Sequence, residues 1–268
     1  MADVYATIAE ADEAVQENLA EVLELRAADP QQRGMLDAHL EDLPLSADAR
    51  VLEIGCGTGA VTRVLAGLPE VAEVVGVDPS SIFIEHARRE AEGVSKLSFV
   101  VGDGRELPFD DSRFDAIVCH TSLCHIPEPG QVLTEARRVT RDGGAVAIFD
   151  GDYATTTVSI SEDDPLQACA DAAVAALVHD RYLVRRLPRV IEATGWDLVR
   201  VRSHGYVEAE QPSYILTIID RGADALVASG TIGEAAAEAL KAEARRRVEN
   251  HTFFGHIAYA SVIGLRRE

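Results

Sequence analysis

The first 49 residues carry apolar positions at helical spacing. Val15, Leu19, Val22 and Leu23 make one stripe and Met35, Leu36, Leu40 and Leu43 a second, so residues 1–49 are predicted as helix, broken at Asp29-Pro30. From residue 50 to about 150 the period changes repeatedly. Arg50–Ile54, Val74–Val77, Leu97–Val101, Phe114–Cys119 and Ala145–Phe149 are short β-branched runs and read as strands. Helical stretches at 59–68, 80–92 and 128–140 lie between them. Such alternation predicts an α/β fold, a doubly wound parallel sheet with helices on both faces.

The remainder changes character. Residues 165–195 are Ala-rich and helical, with Gly195 as a stop. DLVRVRSHGYV at 197–207 alternates as a strand does, 212–249 are helical again with a split at Gly230 and Gly233, and Phe253–Leu265 is a final strand. About 45 residues between two strands exceed any hairpin loop. The organisation expected is an N-terminal helical cap (1–49), an α/β core (50–154), a cap or insertion with one core strand near 197–207 (155–250), and a final core strand (251–268).

Composition narrows the partners. The chain has 268 residues, 45 Asp+Glu against 25 Lys+Arg, and a net charge of −20. Its 47% apolar content fills a core and argues against disorder. Four cysteines are too few for a disulfide scaffold. A phosphate backbone or an anionic membrane would be repelled, so neither nucleic acid nor membrane is expected as a partner. The acid-rich start lacks the basic and apolar regions of a secretory leader, and no apolar run is long enough to span a bilayer. A cytoplasmic protein with reduced thiols is expected.

Residues 51–60, VLEIGCGTGA, join a buried strand to a glycine-rich turn and a helix. Gly55, Gly57 and Gly59 permit positive φ and close approach of a ligand, with Cys56 between them. The helix that follows aims its free N–H groups at the same point. Nineteen residues after Gly59, Asp78 ends VVGVDPS, where an acid meets ribose hydroxyls in nucleotide-binding folds. Asp103 closes the third strand in FVVGDGRELPF, beside Gly102 and Gly104. Gly55, Gly57 and Ala60 also fit the relaxed dinucleotide fingerprint, so an NAD-dependent oxidoreductase is a competing reading. Glu53, two residues before the loop, suits a cationic sulfonium better than a pyrophosphate.

These segments, followed by FDAIVCHTSLCHI and RVTRDGGAVAIFD, resemble in order the motifs of the class I S-adenosylmethionine-dependent methyltransferases, and the resemblance covers roughly residues 50–150. It implies a seven-stranded, mostly parallel sheet with an antiparallel last strand. It implies that Glu53, Gly55 and Gly57 line the methionine part of S-adenosylmethionine, that Asp78 holds the ribose hydroxyls, and that Pro79-Ser80 flank the adenosine. Asp103 would meet the adenine amino group with Gly104 beside it, and His120 would sit near the transferred methyl. Leu123–His125 resembles the small-molecule branch. The resemblance also gives the N-terminal helices a cofactor-covering role, in which Arg26 or Arg33 could pair with the methionine carboxylate.

Methyl transfer from a sulfonium is an in-line displacement that rests on proximity and alignment. A base is needed where the acceptor is a weak nucleophile. His120, His125 and Asp152 rank first because they follow strand ends, and Tyr153 next; Asp150, His204 and Tyr206 are further polar candidates. Cys119-His120 and Cys124-His125 crowd soft ligands into one short segment, unlike the separated pairs of zinc sites, and no metal is expected. Lys241 and Arg245–Arg247, interleaved with Glu238, Glu243 and Glu249, read as a solvated or interface helix. Ile215, Leu216, Ile218, Ile219, Leu226 and Val227 suggest a partly apolar acceptor. The expectation is a small-molecule methyltransferase yielding S-adenosylhomocysteine, possible as a homodimer. The alternative is a protein that binds the same cofactor without methylating, because cofactor motifs report binding and not transfer.

Overall fold

The computed structural model describes residues 3–267. Helices α1 (Glu13–Ala28) and α2 (Pro30–Leu40) meet at Asp29, whose carboxylate accepts the N–H groups of Gln31 and Gln32 at 2.9 and 2.8 Å. Pro30 then sits in the first turn of α2, where a missing N–H costs nothing. The sequence break at Asp29-Pro30 is therefore a helix start built from a cap and a proline.

The sheet follows from the alternating runs. In chain order come β1 (Ala49–Ile54), α3 (Ala60–Ala66), β2 (Val71–Asp78), α4 (Ser81–Glu90), β3 (Leu97–Val101), β4 (Phe114–His120), α5 (Pro129–Val139) and β5 (Thr140–Thr157). Then come α6 (Leu166–Leu177), α7 (Leu183–Ala193), β6 (Trp196–Glu208), α8 (Tyr214–Ala228), α9 (Glu234–Glu249) and β7 (Gly255–Arg266). The seven strands lie in the order β3-β2-β1-β4-β5-β7-β6, with β7 antiparallel to both neighbours and the other pairings parallel. The order reverses between β1 and β4, and the crevice at such a reversal is where open α/β sheets bind ligands.

One core packs Leu52, Ile54, Ile117, Val146 and Trp196 on one face of the sheet. A second packs Val51, Val74, Val118 and Ala147 against Leu36, Leu40 and Leu65 on the other. Both sheet faces are thus covered, which accounts for the near-continuous apolar strands.

Two departures from the sequence reading have local causes. The helical stretch 165–195 is two helices, because tertiary bonds hold 178–182 extended or turned: the His179 N–H donates to Asp3 and the Asp180 N–H to the Cys124 carbonyl. Helix α7 lies on β5, β6 and β7, with Leu187 and Ile191 buried there, whereas α6 packs on α8. Strand β5 is also far longer than Ala145–Phe149. Its extension to Thr157 pairs with the start of β7 through an irregular register between Asp152 and Thr157.

Helix α8 carries Gly222 in its interior, at a cost of about 1 kcal/mol against alanine. A Cβ there would stand 1.8 Å from the Cys169 carbonyl oxygen of α6. Glycine is needed because the two helix backbones touch.

Candidate functional site

A cavity of about 750 Å3 opens at the carboxyl ends of the parallel strands, under α1, α6 and α8. Its floor is the loop after β1. Gly55, Gly57 and Gly59 take φ of 73°, 52° and 76°, conformations that side chains disfavour. A Cβ on Gly55 would lie 2.4 Å from the Ser122 Cβ. The loop is braced from β2: the Gly57 N–H donates to Asp78 Oδ2 at 2.9 Å and the Ser80 N–H to Asp78 Oδ1 at 2.9 Å. The Thr62 hydroxyl donates to the buried Glu53 carboxylate beneath.

Burial pushes Glu53 up to about 8, opposed by the Thr62 hydroxyl and reinforced by Asp78. Burial also lifts Asp78 to about 6, against its two backbone N–H bonds. Both acids hold their protons more tightly folded than unfolded. Their contribution to stability is full below the unfolded carboxyl range and is lost as pH rises through about 6 and about 8. The melting temperature of the ligand-free chain is expected to fall by several degrees from about pH 5.5 to about pH 8.5. Glu53→Gln should flatten the upper part of that fall in a calorimetric pH series, and an undiminished slope in the variant would contradict the assignment.

The cavity brings together Arg26, Glu53, Gly55, Cys56, Gly57 and Asp78, with Pro79, Gly102, Asp103, Gly104 and His120 further along its wall. Arg26 reaches in from α1 and donates to the Thr121 hydroxyl after β4. Arg33 also lines the cavity, at its exposed rim, where it gives its Nε to Asp37 one turn on. Ser80 lies outside the lining: its hydroxyl accepts the Phe83 N–H at 3.0 Å as the α4 cap and donates to Gln16 Oε1 at 2.6 Å. Gly59 is also outside the lining, the last residue before α3, with Phe99 packed where its side chain would be. Asp103 lines the cavity with its carboxylate held on Arg105 at 2.6–3.0 Å, and that guanidinium keeps it below its ordinary range.

Toward the cap the chemistry changes. His120 stacks on Phe149 at 4.7 Å and 5°, and its Nε2 is buried without a partner. Burial first, then Arg26 and His39, hold its imidazole well below the ordinary range, so the ring is neutral. His125 gives Nδ1 to Asp3 Oδ2 at 2.8 Å and packs against Tyr5 at 4.6 Å. Asp3 also accepts the N–H groups of Tyr5 and His179 at 2.9 and 2.7 Å, which straps the N-terminal segment across the cavity. Tyr153 lines the cavity and packs edge-on against Tyr259, its hydroxyl pushed well up by burial and hence protonated.

Asp152 is outside the cavity: adjacent residues of β5 face opposite sides, and its carboxylate takes Arg185 at 2.9 Å. Asp150 is buried and accepts the Cys124 and Gly151 N–H groups. His204 bonds Ser261 and Tyr206 bonds Glu208, both away from the lining. Among the described residues no group of three or more His, Cys, Asp or Glu is arranged to hold a metal ion. The basic cluster on α9 is divided: Arg245 and Arg246 are exposed on ion pairs, whereas Arg247 is buried on Asp164.

Sequence reading missed Tyr5, Thr121, Tyr214, Thr217 and Arg221, all on the cavity wall. The last three had a signal, since 214, 217 and 221 share one face of a helix with Ile218. Tyr5 had none, because its place depends on the strap.

Residues 52–148 match the methyltransferase domain family. The chain is 36% identical over 111 residues to 27-O-demethylrifamycin SV methyltransferase of Amycolatopsis mediterranei, covering 40% of each protein. It spans about half the length of the curated relatives it matches. Among solved structures, a Bacillus halodurans protein assigned as a methyltransferase aligns with a TM-score of 0.63 at 18% identity, over 87% of this chain and 99% of that one. The [4+2]-cyclase SpnF aligns at 0.56 and 19%, over 88% and 82%. These likenesses establish the fold.

Proposed function

We propose that this chain, by its domain family and fold a class I S-adenosylmethionine-dependent methyltransferase, methylates a small, partly apolar acceptor. The observation that carries this reading is one continuous cavity that joins the braced glycine loop to a wall of imidazoles, tyrosines and aliphatic side chains. The residues present fit the cofactor. Gly55 and Gly57 leave room that a Cβ would fill, and Arg26 has no carboxylate within 4.0 Å among the described residues. Glu53, Gly55 and Gly57 would line the methionine part, Arg26 its carboxylate, Asp78 the ribose, and Pro79, Asp103 and Gly104 the adenine side. S-adenosylmethionine, when bound, supplies an electrophilic methyl on a cationic sulfur.

The chain's own residues then position and deprotonate the acceptor. His125 is the base this reading favours, because Asp3 fixes Nδ1 and leaves Nε2 free. The neutral, buried His120 and the protonated Tyr153 act as wall and hydrogen-bond partners. The net charge of −20 disfavours a nucleic-acid acceptor and fits a cytoplasmic protein; a homodimer is compatible with this reading.

A second reading, cofactor binding without methyl transfer, is favoured by the likeness to a cyclase. Calorimetry with S-adenosylmethionine, followed by assay of S-adenosylhomocysteine release over a panel of phenols, carboxylic acids and amines, separates the two. Binding with release supports methyl transfer, and binding without release on any acceptor supports the second reading. Binding of NAD in place of S-adenosylmethionine overturns both.

A further inference from the structure

Among the described residues two cavity-lining arginines, Arg26 on α1 and Arg221 on α8, have no acid partner. Tyr214, Thr217, Ile218 and Arg221 occupy successive turns on one face of α8 and all line the cavity. Arg221 donates to the neutral Asn18 Oδ1 at 3.4 Å, lies against the Tyr5 hydroxyl, and has no carboxylate within 4.0 Å among the described residues. The acids nearest it on α8 are engaged elsewhere. Asp220 holds Arg245 at 2.8 Å and Asp224 holds Lys241 at 2.6 Å, both on α9. Other arginines of the lining are neutralised: Arg33 by Asp37, Arg63 by Glu24 and Arg105 by Asp103. Arg26 is the exception, and it lies at the glycine-loop end on Thr121.

The wall that α6 gives the same cavity is apolar. Val174, Leu177 and Val178 face the cavity from α6 and the residue after it, and Ile218 from α8. The Tyr5 hydroxyl, pushed up by burial, is drawn back down by the adjacent Arg221. A half-buried guanidinium beside aliphatic side chains and tyrosines is built to hold an oxyanion at the end of an apolar body.

We infer that the acceptor is an amphipathic carboxylate whose apolar part lies on α6 and whose carboxylate is held by Arg221. This rests on the reading of the cap end as the acceptor site. It makes Arg221 a specificity-determining residue, with Arg26 left to the cofactor.

The test uses the full chain saturated with S-adenosylhomocysteine, so that Arg26 is occupied, and the probes 2-naphthoate and its neutral amide, 2-naphthamide. Calorimetry is expected to show the carboxylate bound about tenfold more tightly than the amide. Arg221→Gln should abolish that preference, and Arg221→Lys should retain part of it as a point charge without the fork. Melting temperatures within about 2 °C of the parent, as expected for a partly exposed position, certify that the variants are folded. Equal affinity for the two probes, binding of neither, or a preference that survives Arg221→Gln and disappears in Arg26→Gln overturns the inference. If S-adenosylhomocysteine itself does not bind, the methyltransferase reading fails, and the same probe pair on the ligand-free chain still decides the role of Arg221.

Discussion

Arg247→Met is expected to destabilise the chain by about 3–5 kcal/mol, the cost of leaving a buried carboxylate without its cation. The Arg247 and Asp164 side chains are 8% and 0% exposed and meet through two bonds of 2.6 and 2.9 Å. Asp164 further accepts the N–H groups of Ile160 and Leu166, so this carboxylate organises the entry into α6. Methionine keeps most of the arginine stem's volume and removes only the charge and the fork. At about 2–4 °C per kcal/mol for a chain of this size, the melting temperature should drop by roughly 10 °C. The double variant Asp164→Leu, Arg247→Met should recover part of the loss, because an apolar pair carries no desolvation cost. A loss below about 1 kcal/mol in the single variant would show that the pair is solvated.

Gly55→Val is expected to weaken S-adenosylmethionine binding by about a hundredfold, or near 2.8 kcal/mol. Two costs combine. A β-branched residue at φ 73° is strained by on the order of 1–3 kcal/mol, and its Cβ would meet the Ser122 Cβ at 2.4 Å. The loop must move away from β4, taking with it the Gly57 N–H that Asp78 holds. Gly55→Ala combined with Ser122→Gly relieves the contact and keeps the strain, so its affinity should fall between parent and Gly55→Val. Calorimetry reads both, with melting curves to certify the fold. An unchanged dissociation constant in Gly55→Val would remove this loop from the cofactor site.

These two variants probe features of unequal visibility in the sequence. The glycine loop was legible because positive φ, a preceding buried strand and a following helix are local requirements written in adjacent residues. The strand-helix alternation was legible for the same reason: each run of Val and Ile answers to burial on both faces of the sheet. Arg247 was not. On its own helix it falls among Glu243, Arg245 and Arg246, a pattern of surface pairs, and its partner lies 83 residues away. Asp3 and His125 are 122 residues apart, so the strap that orients the imidazole leaves no local mark.

Among the site residues, the misplacements share a cause. Asp152, Ser80 and Gly59 stand at the right ends of the right elements. Whether a strand-end or turn residue faces the cavity depends on one step of register or on a cap bond, and neither is written in its spacing. Asp78 illustrates the converse. It was expected at the ligand and lines the cavity, yet its two oxygens already hold the loop and the turn before α4 in place.

The contact between Gly222 and the Cys169 carbonyl bears on how such a protein could diversify. With the backbones of α6 and α8 touching, the distance between these helices is set by main-chain atoms, not by the bulk of side chains. Substitutions at Val174, Leu177 or Ile218 then change the room inside the cavity while the helices keep their places. A lineage could broaden or narrow its range of acceptors one methylene at a time, without having to re-evolve the wall that holds them.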